Sequence, residues 1–187
     1  MLYASLYPEK VNKLISLDVA KPFAVSMEKL PGIMKTIMDQ MIEFSEAEPI
    51  TVTYEQARET LIDNYKGSIN EKAADILLAR GLKKTGEDAY EFSNDMRILL
   101  RTLTLSEDQI KILVRNITCP FLIIRAKNGL KNFSEELLRE YLDIYRSNSQ
   151  DFRYVEIEGT HHVHLTHPER VALHIRQFIM PLLSSKL

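Results

Sequence analysis

Phe121-Leu122-Ile123-Ile124 is an unbroken run of large apolar residues, entered through Pro120 and followed by an Asn128-Gly129 turn signal. A strand with one wet face alternates polar and apolar residues, so a run without alternation calls for cover on both faces. That demand points to parallel strands joined by helical crossovers, which lay helices over the sheet. Two further segments fit beside it. Val11 to Ala20 contains Leu14-Ile15-Ser16-Leu17 and turns polar at Asp18, and Phe152 to Glu158 stops at Gly159. Ser134 is a suitable helix cap ahead of Leu137, Leu138, Tyr141, Leu142 and Tyr145, which share one helical face. Pro168 and Glu169 suit the first turn of a last helix that carries Val171, Ile175, Phe178, Ile179 and Leu182 inward. The expected fold class is α/β, with about three parallel strands and right-handed crossovers.

Between Pro22 and about Ile117 the period changes to that of helices. Met27, Leu30, Ile33, Met34, Ile37, Met38, Met41 and Ile42 recur at three- and four-residue steps and make one apolar stripe, for which core packing is a better account than a substrate pocket. Thr53 with Gln56, and Ser106 with Gln109, have capping-box spacing, while Asn70 caps a helix that stops near Gly81. This stretch reads as a helical insertion. The expected organisation is therefore residues 1–21 as the end of a helix and a core strand, 22–117 as a helical insertion, and 118–187 as the C-terminal core.

Composition narrows the partners. A net charge of −2 with both signs mixed along the chain offers no basic stripe to a phosphate backbone, so nucleic acid is not expected. The lone Cys119 excludes an intramolecular disulfide and a cysteine-rich zinc site, and reads as a small buried hydrophobe. No stretch approaches the roughly 20 apolar residues of a membrane span, and MLYASLYPEK lacks the regions of a signal peptide. A soluble chain without that export route is expected.

Several segments together resemble the C-terminal half of the α/β-hydrolase fold. They are Ala4-x-x-Tyr7-Pro8-Glu9-Lys10-Val11 with Leu14 to Asp18, then Cys119-Pro120-Phe121-Leu122-Ile123-Ile124-Arg125-Ala126, and above all Gly159-Thr160-His161-His162-Val163-His164-Leu165-Thr166-His167-Pro168-Glu169-Arg170-Val171-Ala172. The branch they resemble is the serine hydrolase-like group, related to haloalkane dehalogenases and epoxide hydrolases. The resemblance covers essentially the whole chain; it implies that 22–117 is a helical cap subdomain, and that a nucleophile elbow and oxyanion-hole donors lie upstream. No Gly-x-Ser-x-Gly occurs in the 187 residues. A fragment, short isoform or incomplete gene product is therefore expected, inactive alone, with the inner edge of its sheet bare.

The resemblance gives His161 the place of the catalytic base, two residues past Gly159 and seven before Pro168, with His162 as rival if the register is off by one. The usual acid position after the strand following the cap holds Asn128, which cannot offset an imidazolium charge. Asp18, at the end of the preceding strand, matches the place where one group of haloalkane dehalogenases puts its acid; a strand-end aspartate capping a backbone N–H is the alternative. His162, His164, His167 and His174 read as loop and helix residues. No carboxylate or thiol gives the cluster a recognised ligand spacing, so no metal and no cofactor is expected. Asp95 and Arg97 resemble a cap-to-core connection and read as a salt bridge. Nothing in the spacing of Tyr54, Tyr65 or Tyr90 demands a role in opening an epoxide.

Ser185-Lys186-Leu187 at the C-terminus is the peroxisomal address, recognised by the import receptor; it would arise by chance on the order of once in a thousand chains or fewer. Peroxisomal, otherwise cytoplasmic, localisation is expected. The complete form is expected to hydrolyse ester, thioester or amide bonds of a small-molecule or acyl-type substrate. The alternatives are a non-catalytic remnant serving as a binding or regulatory module, and a fragment of an epoxide or haloalkane hydrolase.

Overall fold

The computed structural model describes residues 1–46, 48–93 and 104–180. In chain order its elements are α1 (Leu2–Leu6), β1 (Leu14–Leu17), α2 (Leu30–Glu46), β2 (Thr51–Val52), α3 (Tyr54–Asn64), α4 (Glu71–Gly81), β3 (Leu82–Lys84), β4 (Tyr90–Phe92), α5 (Glu107–Val114), β5 (Phe121–Asn128), α6 (Glu135–Asn148), β6 (Phe152–Thr160), α7 (Val163–Thr166) and α8 (Pro168–Ile179). They form two compact units, one of Met1–Ala24 with Glu107–Leu187 and the other of Val25–Ser106.

The first unit is built on a parallel sheet of order β1-β5-β6. The apolar run explains why β5 is central: Phe121, Leu122, Ile123 and Ile124 are each 1% exposed or less. Alternation along the strand sends Leu122, Ile124 and Ala126 into a core with Ile157, Val163, Val171 and Phe178, so α8 covers that face. Phe121 is part of an aromatic layer, its ring 4.9 Å from that of Tyr145 on α6 and 5.8 Å from that of Phe152 on β6. Ser134 caps α6 as its sequence suggests, accepting the Leu137 N–H at 3.2 Å.

Helix α5 belongs to this unit, which corrects the expected 22–117 boundary: the second unit ends at Ser106. The reason is packing. Ile110 and Val114 are fully buried, Lys21 Nζ lies 3.0 Å from Glu107 Oε2, and the Tyr141 hydroxyl donates to Glu107 Oε1 at 2.5 Å. These contacts tie the start of α5 to α6 and to the chain leaving β1.

Within the second unit, Thr53 and Gln56 make both halves of the capping box of α3, and the Asn70 side chain accepts the Ala73 N–H at the head of α4. The unit is not wholly helical, since β2, β4 and β3 form a small antiparallel sheet in that order. Strands of two or three residues are too short to show a period of two. On α2 only Ile37 is buried, while Met38 and Ile42 are 52% and 59% exposed, so the apolar stripe is not a core face in the described residues.

The aromatic layer sets an expectation for stability. Phe121→Ala removes a ring that is 0% exposed and should destabilise the first unit by about 3–5 kcal/mol. Urea unfolding followed by tyrosine fluorescence measures it; a loss below about 1 kcal/mol would mean the layer is not a packed core.

Candidate functional site

Ligand sites of open parallel sheets lie beyond the carboxyl ends of the strands. Asp18 directly follows β1, and its backbone N–H donates to Ile124 O at 2.7 Å, one step past the Leu17–Ile124 pair. Its φ is +56°, a left-handed conformation that costs a non-glycine residue of order 1 kcal/mol or more. The side chain is 1% exposed. Desolvating a carboxylate that far requires donors, and they are present. The Ala126 N–H donates to Oδ1 at 2.9 Å, and the Leu130 N–H donates to Oδ2 at 2.9 Å.

The third donor comes from the loop after β6. Beyond Ala126–Ile157 the β5–β6 register shifts, and the next pair is Asn128–Thr160, so β6 carries one extra residue at its end. Such a bulge turns the following side chains. Gly159 sits there with φ +146° and lies so close to Val163 that a Cβ would stand 2.5 Å from Val163 Cγ2. Two residues on, His161 Nδ1 lies 2.7 Å from Asp18 Oδ2. A carboxylate that already takes two backbone N–H groups accepts at both oxygens, which assigns the shared proton to Nδ1. The neutral ring then keeps Nε2, on its opposite side, as a proton acceptor, and the His161 side chain is 31% exposed.

Two more imidazoles stand behind it. The His162 ring packs edge-on to His161 at 4.6 Å between centroids, and the His164 ring lies 5.9 Å from His162. Burial pushes the His162 pKa down to about 4, helped by repulsion from His161 and His164. His164 is shifted in the same direction, first by burial and then by His161. Its Nδ1 is buried and has no hydrogen-bond partner among the described residues. The chain leaving Asp18 is secured by the Tyr145 hydroxyl, which donates to Ala20 O at 3.0 Å, and by the Lys21–Glu107 pair.

The structure thus brings Asp18 and His161 together across 143 residues of sequence. Asn128 lies exposed at the end of β5. Tyr54 and Tyr90 pack edge to face at 5.9 Å in the second unit, with the Tyr54 hydroxyl donating to Asp75. Asp95, Arg97 and Ser185-Lys186-Leu187 lie outside the described residues. Among the described residues no group of three or more His, Cys, Asp or Glu side chains is arranged to hold a metal ion, and no helix is long and apolar enough to cross a membrane. The amide donors at Ala126 and Leu130 escaped sequence reasoning; only the Asn128-Gly129 turn signal marked their neighbourhood.

No protein-family model matches the chain. A Drosophila melanogaster protein described as "Probable serine hydrolase" is 29% identical over 183 residues, which cover 95% of this chain and 55% of the relative. A Danio rerio "Serine hydrolase-like protein" is 26% identical over 194 residues, 96% of this chain and 56% of the relative. The chain therefore spans just over half the length of these relatives. Among solved structures, a hypothetical protein of Pseudomonas aeruginosa superimposes with a TM-score of 0.76 at 23% identity over 95% of this chain and 61% of that one. The thioesterase domain of the curacin biosynthetic pathway gives 0.67 at 19% identity, over 92% and 60%. At these identities the two structures establish the fold.

The buried imidazole of His162 couples stability to pH. Unfolded, it takes a proton near 6.5; folded, only near 4. Between those values unfolding binds the extra proton, so this contribution is whole above about 6.5 and is lost as pH falls toward about 4. The loss should be on the order of 3 kcal/mol. Urea unfolding at neutral and acid pH should therefore show a smaller acid loss for His162→Asn than for the unaltered chain; equal losses would contradict the burial argument.

Proposed function

The chain belongs to the α/β-hydrolase superfamily, in its serine hydrolase-like group, and on that premise we propose that it carries the acid–base part of a serine-hydrolase triad, with His161 as general base and Asp18 as its acid. The observation that supports this best is the 2.7 Å contact between His161 Nδ1 and a carboxylate that is itself 1% exposed. In the complete form, His161 Nε2 takes the proton of a serine hydroxyl as the oxygen attacks the substrate carbonyl. It then returns that proton to the departing alcohol, thiol or amine. Water repeats the cycle on the acyl-enzyme and releases the acid. Asp18 keeps Nε2 available by binding Nδ1–H, and it offsets the imidazolium charge while the proton resides on the ring. The substrates proposed are esters, thioesters or amides of small or acyl-type molecules. A serine on a Gly-x-Ser-x-Gly elbow is the partner this chemistry needs, and none occurs in the 187 residues.

The reading is tested with a fluorophosphonate probe. The 187-residue chain should not label, and stoichiometric labelling at one of its serines would refute the assignment of the nucleophile outside it. In a longer form that carries an elbow serine ahead of residue 1, that serine should label. There His161→Ala should cut turnover roughly 10³-fold or more, and Asp18→Asn should lower it in the same direction; wild-type rates in either variant would remove that residue from the triad.

We also propose peroxisomal import through Ser185-Lys186-Leu187. A fluorescent protein fused ahead of residue 1 should collect in peroxisomes and become diffuse when the last three residues are deleted. An unchanged distribution would refute the address.

A further inference from the structure

We propose that Gly129 is a positioning residue of this site: it is glycine so that the carboxylate of Asp18 can lie against the main chain where β5 ends and present Oδ2 to His161. Backbone conformation does not explain the glycine. The glycines with positive φ are Gly67 and Gly159, and Gly129 is not among them. Its N–H closes an ordinary turn by donating to Ala126 O at 3.0 Å. What stands beside it is one group of atoms. A Cβ built on Gly129 would lie 2.2 Å from Asp18 Oδ1, 2.2 Å from Oδ2 and 2.5 Å from Cγ, and these are its three nearest neighbours.

A short contact to the end of a free side chain is cheaply relieved, but this end is not free. The Asp18 side chain is 1% exposed, its oxygens are held by the N–H groups of Ala126 and Leu130 and by His161 Nδ1, and its backbone is pinned to Ile124 O. With few bonds to rotate, the carboxylate cannot clear a methyl group at 129 while keeping all three donors. Oδ2 serves both Leu130 and His161, so moving it weakens the hold on the Leu130 backbone and the orientation of the imidazole together. Gly159 makes a useful contrast, because its φ of +146° favours glycine whatever the space around it. At position 129 the requirement is for room beside a charge, and it exists only while residue 18 carries that carboxylate.

The inference rests on the pairing of Asp18 with His161, and its test needs no hydrolysis. The full 187-residue chain is compared with Gly129→Ala, Asp18→Gly and the double variant; glycine at 18 also suits the +56° backbone. In the presence of Asp18, Gly129→Ala should lower Tm by about 3–10 °C. It should also abolish the downfield Nδ1–H resonance of His161 and speed amide exchange at Leu130. In the Asp18→Gly background the same alanine should change Tm by less than about 2 °C, a strong departure from additivity. If Gly129→Ala does not fold, folding of the double variant supports the inference, and its failure beside a folded Asp18→Gly overturns it. Equal Tm losses in both backgrounds, or an unchanged Nδ1–H resonance in Gly129→Ala, likewise overturn it. Failure of the triad reading would appear instead as unaffected catalysis in the elbow-carrying form, with the non-additivity intact.

Discussion

The carboxylate of Asp18 is the point at which three separate segments meet: the end of β1, the exit of β5 and the loop after β6. It receives the Ala126 and Leu130 N–H groups and the His161 imidazole, and the Asp18 backbone extends the β1–β5 ladder by one bond to Ile124. Hydrogen bonds to a charged acceptor contribute about 1.5–3 kcal/mol each, against roughly 1–3 kcal/mol for a left-handed aspartate. The strained residue is thus held by more than it costs. Its geometry follows from the sheet, because the register of Leu17 with Ile124 determines where residue 18 emerges.

The two faces of β5 divide the labour. Toward α8, Leu122, Ile124 and Ala126 join Val171 and Phe178 in an aliphatic and aromatic core that also takes Val163, so the packing that stabilises the sheet anchors the residue two positions after His161. Toward α6, the aromatic layer reaches the other side of the site, since Tyr145 packs edge to face on Phe121 and its hydroxyl donates to Ala20 O. Lys21, only 9% exposed, is matched by Glu107 and lies over the rings of Phe133 and Tyr141. A buried ammonium without such partners would be strongly destabilising. The segment that carries Asp18 is therefore held by Tyr145 and Glu107, and the loop that carries His161 is held by the burial of Val163.

Features with a local chemical signature were legible in the sequence. The unbroken run at 121–124 announced a strand covered on both faces, and the caps at Thr53, Asn70 and Ser134 announced helix starts, because each depends on neighbours in the chain. The resemblance singled out His161 and Asp18, and their side chains meet in the fold. Other features had no such signature. Backbone amides look alike at every position, so nothing marked Ala126 and Leu130 as donors. Helix α5 shows an amphipathic pattern that says it packs, and only contacts with Lys21 and Tyr141 say where. Strands β2 to β4 are too short for a period, and the methionine stripe of α2 has the period of a core face without being buried as one.

A loop with His161, His162 and His164 raises the question of which imidazole can hold a proton. Asp18 Oδ2 reaches His161 Nδ1 directly. Two charged imidazoles at 4.6 Å would repel by on the order of 3 to 4 kcal/mol at the effective dielectric of a partly buried site. Burial acts in the same direction on His162 and His164, keeping both rings neutral where an exposed histidine would begin to charge. Both rings that burial holds neutral stand beside the one that touches the carboxylate, His161. Its neighbours His162 and His164 surround it with shape and low polarity rather than with further positive charge.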